Sequence, residues 1–473
     1  MCTLSSAFLE LFSSFLPVFT APSFENFICM TVGWILCTGR HTIAGVIRRS
    51  LGYYSAKHFS SLYRFFSRAV WTTDGLGKAL FGLLLPFLSK YDNVVVIVDD
   101  TLSRRTGPHF WGAGMHHDPL LSTYSGGGSS RGRHVALTFG HSWVVLAVWV
   151  PVPWKKSGGL SVPVLWRLYR SPKYCQGSEY TKRPELARQL VQIFRGWLPP
   201  HLGLTVLGDR EYACRTLLRG APPDTDFIGT MVPDAALFES APAYSGSGRP
   251  RKKGRRLHSP KQLAADKSVP WRKVVVHIYG REVSLLVKEQ VAMWYRVLPG
   301  KLIRVVVTRD PKGYMKDGAY FCTNTRLPVR HILETFARRW SLEVAFRDMK
   351  QELGLGEPQN GWWRRKKGRG RKKAGPQPKG TRGKKAVLHT APLISCVYGI
   401  VVAWYIRYGD VKRDVETARR LAPWYAQKTE PSFADMLNAA RRELWDARLL
   451  AYPALKRLDQ KVSGCLVDWL VAA

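Results

Sequence analysis

Two hydrophobic periods alternate along this 473-residue chain. In residues 331–353, HILETFARRWSLEVAFRDMKQEL, apolar side chains recur at Ile332, Leu333, Phe336, Ala337, Trp340, Val344 and Phe346, with Gly and Pro absent until Gly354. That spacing predicts one long helix. Residues 93–100, NVVVIVDD, are instead a continuous β-branched run ending in two acids, the pattern of a buried central strand. Around these two stretches the chain divides by pattern. Residues 1–90 are helical by period, and residues 41–71 hold two apolar-periodic runs joined at Gly52-Tyr53-Tyr54-Ser55, with Ser55 placed to cap the second. Residues 134–140 and 142–152 predict a β-hairpin turning at Gly140-His141, and residues 160–169 a further strand. A helix over 184–197 has Pro at its first turn. A strand over 202–207, a short helix over 212–218 and a strand over 225–231 follow. The order is that of a layered α/β core.

Residues 233–327 break this order. They carry the basic loop 249–256, RPRKKGRR, and strands over 273–287, 294–297, 302–308 and 319–323, with turns at Tyr279-Gly280 and Pro299-Gly300. The span is expected to be a β-rich insertion. Residues 328–410 return to the core, interrupted by the low-complexity basic run 362–385, which no core can absorb. Residues 386–406 approach the length of a membrane span, but His389, Pro392 and Gly399 favour a buried core helix. Residues 411–473 are helical by period.

Charge alters this picture more than composition does. Seventy-two Lys and Arg against 34 Asp and Glu give +38, an excess that implies a polyanionic partner, DNA or RNA ahead of an anionic membrane surface. The helical N-terminal run is compatible with a helix-turn-helix laying Lys57, Arg64 and Arg68 on DNA, and equally with a plain helical hairpin. Eight cysteines at irregular spacing, with no Cys-x-x-Cys, argue against a zinc site or disulfide framework and for a reducing compartment. The opening MCTLSSAFLELF has no basic start and carries Glu10, unlike a secretory signal.

The chemistry concentrates on three stretches. On the 331–353 helix, Phe336, Arg339, Glu343 and Lys350 are spaced three, four and seven apart. They fall within a sector of roughly 60° and a column of about 21 Å. A carboxylate flanked by cations suits a metal ion that must meet a phosphate; a face laced with ion pairs has the same spacing. Asp100 closes the first strand, and Asp209 follows a later one in Gly208-Asp209-Arg210-Glu211. Acids at neighbouring strand ends converge on one edge of a sheet, where ligands bind. Three such acids suit two Mg²⁺ ions that activate a hydroxyl and stabilise the leaving oxygen of a phosphodiester. Asp99 lies beside Asp100 but on the other face if the strand continues. Glu211 is expected to support a basic side chain. His116-His117-Asp118 has no fixed ligand spacing and suits a solvated loop.

Together these stretches resemble an insertion-sequence transposase of the DDE type, in the branch marked by Tyr-(2)-Arg-(3)-Glu-(6)-Lys. This chain has Phe336-(2)-Arg339-(3)-Glu343-(6)-Lys350, so three of the four positions match. Asp100-Thr101 after an apolar strand resembles the first family aspartate, and Asp209-Arg210-Glu211 the second. The resemblance covers roughly residues 90–410. It implies a ribonuclease H-like mixed sheet with flanking helices, interrupted by the β-rich insertion, between helical N- and C-terminal regions. Asp100, Asp209 and Glu343 would be the catalytic metal ligands for two Mg²⁺ ions, with Mn²⁺ able to substitute. Arg339 and Lys350 would grip phosphates of the transposon end, with Arg210 beside them. Phe336 departs from the pattern, because it lacks the hydroxyl that donates to a phosphate oxygen. Trp294 and Trp340 are places where a displaced base would stack, or plain core residues. The implied partners are transposon ends and target DNA, held by a DNA-bound homodimer in a bacterial cytoplasm with no membrane. Two other readings remain: a DNA-binding derivative without chemistry, and a nuclease that cuts without strand transfer.

Overall fold

The computed structural model describes residues 4–50, 58–106, 110–124, 133–155, 158–175, 180–244, 246, 248–358, 380–450, 467 and 471. Helices α1 (Ser6–Ser13), α2 (Ala21–Leu36), α3 (Ile43–Ser50), α4 (Ser60–Ser67) and α5 (Thr73–Leu88) open the chain, as its period predicts. Lys57 and the Gly52–Ser55 link expected between the third and fourth helical runs lie outside the described residues. Thr72 caps α5, its Oγ1 accepting from Gly75 N at 3.1 Å.

The core strands are β1 (Asn93–Arg104), the short β2 (Gly114–His117), β3 (Thr123–Tyr124) and β4 (Arg133–His134), then β5 (Leu137–Pro151) and β6 (Gly159–Tyr169). Next come α6 (Arg183–Arg195), β7 (Gly203–Gly208), α7 (Arg215–Arg219) and β8 (Thr225–Thr230). β1 lies parallel to β7, and β7 parallel to β8, while β5 runs antiparallel to β1 and β6 antiparallel to β5. Val94–Val98 of β1 are all buried, which is why that run shows no alternation.

Two strand expectations are corrected here. β1 does not stop at Asp100; it pairs with β5 as far as Arg104, opposite Gly140. The hairpin expected at Gly140-His141 is instead one continuous strand, β5. Gly140 is there because the neighbouring backbone comes close: a Cβ would stand 2.4 Å from the Ser103 carbonyl oxygen. Glycine in a strand marks such an approach as readily as a turn.

The expected insertion holds β9 (Leu237–Phe238), β10 (Arg256–Leu257), α8 (Pro260–Ala265), β11 (Arg272–Ile278), β12 (Arg281–Met293), β13 (Leu302–Arg309) and β14 (Gly318–Cys322). The strand expected over 273–287 is two strands joined at the predicted Tyr279-Gly280 turn, and residues 294–297 form no strand. β14 pairs with β8, so these strands extend the main sheet to twelve in the order β10-β9-β12-β13-β14-β8-β7-β1-β5-β2, with β11 on β12 and β6 on β5.

α9 (Val329–Ala337) and α10 (Trp340–Gln351) replace the single helix expected over 331–353. The break falls at Arg338 and Arg339. Their backbones stay in the helical region, but Arg338 N donates to Thr335 O and Arg339 N to Phe336 O, bonds of the tighter 3₁₀ kind. Residues 359–379, most of the basic run, lie outside the described residues. α11 (Gly380–Tyr408) then passes through the core. It is long and apolar enough to cross a membrane by length and composition, but 94% of its apolar window is buried inside the protein. α12 (Val411–Leu421) and α13 (Phe433–Leu450) follow, with most of residues 451–473 outside the description. The chain is therefore a mixed α/β protein with helices packed on a large mixed sheet.

Candidate active site

The site lies where parallel β1 and β7 pass their last shared pair, Val98 with Gly208. The next residue on each strand is an aspartate: Asp99 on β1 and Asp209 just beyond β7. Asp209 is fixed by its own turn, its Oδ1 accepting from Glu211 N at 2.9 Å and Tyr212 N at 3.4 Å.

Because β1 continues, Asp99 and Asp100 point to opposite faces. Asp99 faces α10. Its Oδ2 accepts from the Arg339 guanidinium at 2.6 Å, and the other arm of that guanidinium donates to Glu343 Oε1 at 2.7 Å. Arg339 thus spans Asp99 and Glu343. Asp100, expected as the first metal ligand, faces α6 instead. It lies 3.7 Å from Arg183 Nε, and another nitrogen of Arg183 lies 3.6 Å from Glu211, the basic partner expected for that acid. Arg183 itself is seated over the Tyr169 ring at 4.2 Å.

Packing fixes α10 over this edge. Ser341 shares a hydrogen bond with Ser161 of β6, Phe346 meets Trp166 edge-on, and Arg338 lies over Trp149 of β5 at 4.0 Å. At the 3₁₀ step two consecutive arginines go to different partners, Arg338 to an indole and Arg339 to the acids.

The acids are crowded and underneutralised. Burial pushes the Asp99 carboxyl up to about 7, with Arg339 opposing and Asp209 and Asp100 adding to the rise. Burial likewise takes Asp100 up to about 6 against Arg183, with Glu211 and Asp209 adding. Burial works against the Arg339 charge, yet Asp99 and Glu343 outweigh it and hold that guanidinium above its ordinary value. Among the described residues the buried Tyr212 hydroxyl finds no hydrogen-bond partner, and burial followed by the Asp100 charge raises that phenol.

A hard divalent cation fits this donor set by its chemistry. The donors are carboxylate oxygens, they outnumber the two arginines facing them, and a hydroxyl beside them finds no hydrogen-bond partner among the described residues. Among the described residues, no three His, Cys, Asp or Glu side chains stand close enough together to hold a metal ion. Arg339 stands between Asp99 and Glu343.

The other expected site residues are more scattered. Lys350 sits by Arg104 and Asp118 at the far end of β1, where burial followed by the Arg104 charge lowers its amine. Phe336 is half-buried edge-on to Tyr320 at 5.0 Å. Arg210 is exposed. Trp294 is a core residue packed against Phe321 at 5.6 Å, whereas Trp340 is exposed. Arg183 had no sequence signal, since only the packing of α6 brings it to Asp100. Asp99 had one, its adjacency to Asp100, which the length of β1 decides.

Half-buried acids at the carboxyl ends of parallel strands, in a mixed α/β chain of +38, suit an enzyme that acts on a polyanion. The chain belongs to the DDE superfamily of endonucleases, whose family model matches residues 14–282. The match contains Asp99, Asp100 and Asp209 and ends before Glu343. Among solved structures the chain is similar to the piggyBac transposase synaptic complex with hairpin DNA, at 9% identity, with 95% of this chain and 76% of that chain covered. The TM-score is 0.40, too low to support any conclusion about this chain. No curated protein matches the sequence.

Proposed function

We propose that the protein is a DNA transposase, which cuts the ends of its element and joins the 3′ hydroxyls to target DNA using two divalent cations, Mg²⁺ by preference. The observation that carries this reading is Arg339 bridging Asp99 and Glu343 at the shared end of β1 and β7, where Asp209 follows β7 directly. Membership of the endonuclease superfamily and the charge of +38 support it. An antiparallel β6-β5-β1 meander continued by parallel β7 and β8, with helices packed on it, supports a ribonuclease H-like core.

Asp99, Asp209 and Glu343 are the ligands this reading favours, with Asp99 taking the place the sequence pattern suggests for Asp100. Bound cations would activate the attacking oxygen and stabilise the leaving one. Asp209 is held ready by its turn, and Asp99 by the backbone N–H of Asp100, which donates to its Oδ1 at 2.8 Å. Arg339 is the nearest cation for a non-bridging phosphate oxygen once Asp99 and Glu343 bind metal instead. Arg183 lies between Asp100 and Glu211 on the opposite face and offsets part of their charge. Two ends must meet for joining, so two copies of the chain on DNA are expected.

The test is an end-cleavage assay on duplex DNA carrying the terminal inverted repeats that this reading expects to flank the coding sequence, with Mg²⁺ or Mn²⁺. Cleaved and joined products support the transposase. Cleavage without joined products leaves a nuclease, and binding without cleavage in either metal defeats the enzymatic reading.

A further inference from the structure

One residue beside the site adopts a conformation its side chain disfavours. Tyr279 and Gly280 form the two-residue turn between β11 and β12, with φ of +52° and +76°. A turn with positive φ at both positions strongly prefers Asn, Asp or Gly at the first. Tyrosine there is strained, and such strain persists where the surrounding structure holds it.

The structure does hold it. Glu334 of α9 accepts from His277 N on β11 at 2.8 Å and from Arg330 at 2.9 Å, which ties the hairpin to the helix just before the Arg338-Arg339 step. The Tyr279 ring meets Trp340 edge-on at 6.5 Å, and both residues are 54% exposed. Trp340 follows Arg339 directly and precedes Glu343 by one helical turn. Partial burial raises the Tyr279 phenol above its ordinary value, with the Arg339 charge opposing and the Glu343 charge adding to the rise. A strained turn thus presents a half-exposed phenol whose ring partner, Trp340, directly follows the guanidinium that spans Asp99 and Glu343.

We infer that Tyr279 is a substrate-positioning residue whose hydroxyl donates to a non-bridging oxygen of the phosphate being cut, with Trp340 bracing its ring. This rests on the cleavage reading above. A phenol donates one directional hydrogen bond and stays neutral at working pH, so it orients a phosphate without competing with cations for the acids. Hydrogen bonds to charged groups are the strong ones, so losing this one should slow cleavage by roughly 10–100-fold.

The experiment compares wild type, Tyr279→Phe and Tyr279→Asn in single-turnover cleavage of the repeat DNA with Mg²⁺, alongside DNA affinity and thermal unfolding. Tyr279→Phe should cut at least tenfold more slowly with nearly unchanged affinity and unfolding midpoint. Replacing the contacted phosphate oxygen by sulfur should slow wild type more than Tyr279→Phe. Tyr279→Asn should cut poorly yet unfold about a degree higher, because the turn is relaxed. If wild type cuts and Tyr279→Phe cuts equally fast, or both respond alike to sulfur, the inference fails while the cleavage reading stands. A lower unfolding midpoint for Tyr279→Asn would overturn the strain it rests on. If wild type cuts nothing in either metal, the reading beneath fails and takes the inference with it.

Discussion

Replacing Arg339 by Gln removes the cation that spans Asp99 and Glu343, and the structure bounds what that should cost. Asp99 is 13% exposed and Arg339 21%, so screening by water is modest. Breaking a buried pair ordinarily costs about 3–5 kcal/mol, because a charge is stranded. Asp99 has an alternative, since burial already holds its carboxyl at about 7. At pH 8 the ionised form is favoured by only about 1.4 kcal/mol, so a stranded Asp99 takes up a proton instead and the loss through it stops near that value. The more exposed Glu343 pair adds about 0.3–0.5 kcal/mol. Arg339→Gln should therefore cost about 1.5–2 kcal/mol at pH 8 and about 0.5 kcal/mol at pH 5.5, where Asp99 is protonated in both proteins. The sign follows from linkage: the variant raises the folded carboxyl further above its unfolded value, so the variant's deficit grows as pH rises through about 7. Urea unfolding in EDTA at the two pH values, repeated in an Asp99→Asn background, measures it. In that background the pH dependence should vanish. An equal cost at both pH values, or a pH dependence that survives Asp99→Asn, would refute the link between Arg339 and Asp99.

Two further predictions concern the scaffold. Gly77 and Gly82 lie in the same helix, but a Cβ on Gly77 would stand 2.0 Å from the Val164 carbonyl oxygen of β6, while nothing lies within 4 Å of one on Gly82. Gly82→Ala should stabilise by about 0.5–1 kcal/mol, whereas Gly77→Ala should destabilise by more than about 2 kcal/mol, both read by urea unfolding. His389, stacked on Trp71 at 3.9 Å, is held at about 4 by burial, with Lys385 adding to the fall. An unfolded chain takes up that proton first, so stability should fall as pH drops from 6.5 towards 4. His389→Asn should lessen that slope by up to about 1.4 kcal/mol per pH unit, and an unchanged slope would disprove the assignment.

Much of this fold is legible in the chain because strands buried on both faces and amphipathic helices leave plain periods. The buried strand beginning at Asn93, the apolar strand before Asp209, the Tyr279-Gly280 turn and the core helix around Pro392 all fall where the pattern places them. What was hidden depends on neighbours. Gly140 looks like a turn until the Ser103 carbonyl is seen against it. The helix carrying Glu343 changes its winding at Arg338 and Arg339, where no Gly or Pro marks it and where the two guanidinium groups go to Trp149 and to the acids. The choice between Asp99 and Asp100 depends on β1 running on to Arg104, and that pairing is supplied by β5. Arg183 and Tyr279 come from distant stretches with no motif of their own.

The central claim is that Asp99, with Asp209 and Glu343, forms the acidic centre, while Asp100 faces away toward Arg183. Cleavage of the repeat DNA with Mg²⁺ by Asp99→Asn and Asp100→Asn, with unfolding midpoints checked in parallel, tests it most directly. The account predicts that Asp99→Asn loses at least about a hundredfold in rate, as removal of a metal ligand should, while Asp100→Asn stays within about tenfold of wild type. Undiminished cleavage by Asp99→Asn, with activity lost in Asp100→Asn, would contradict it.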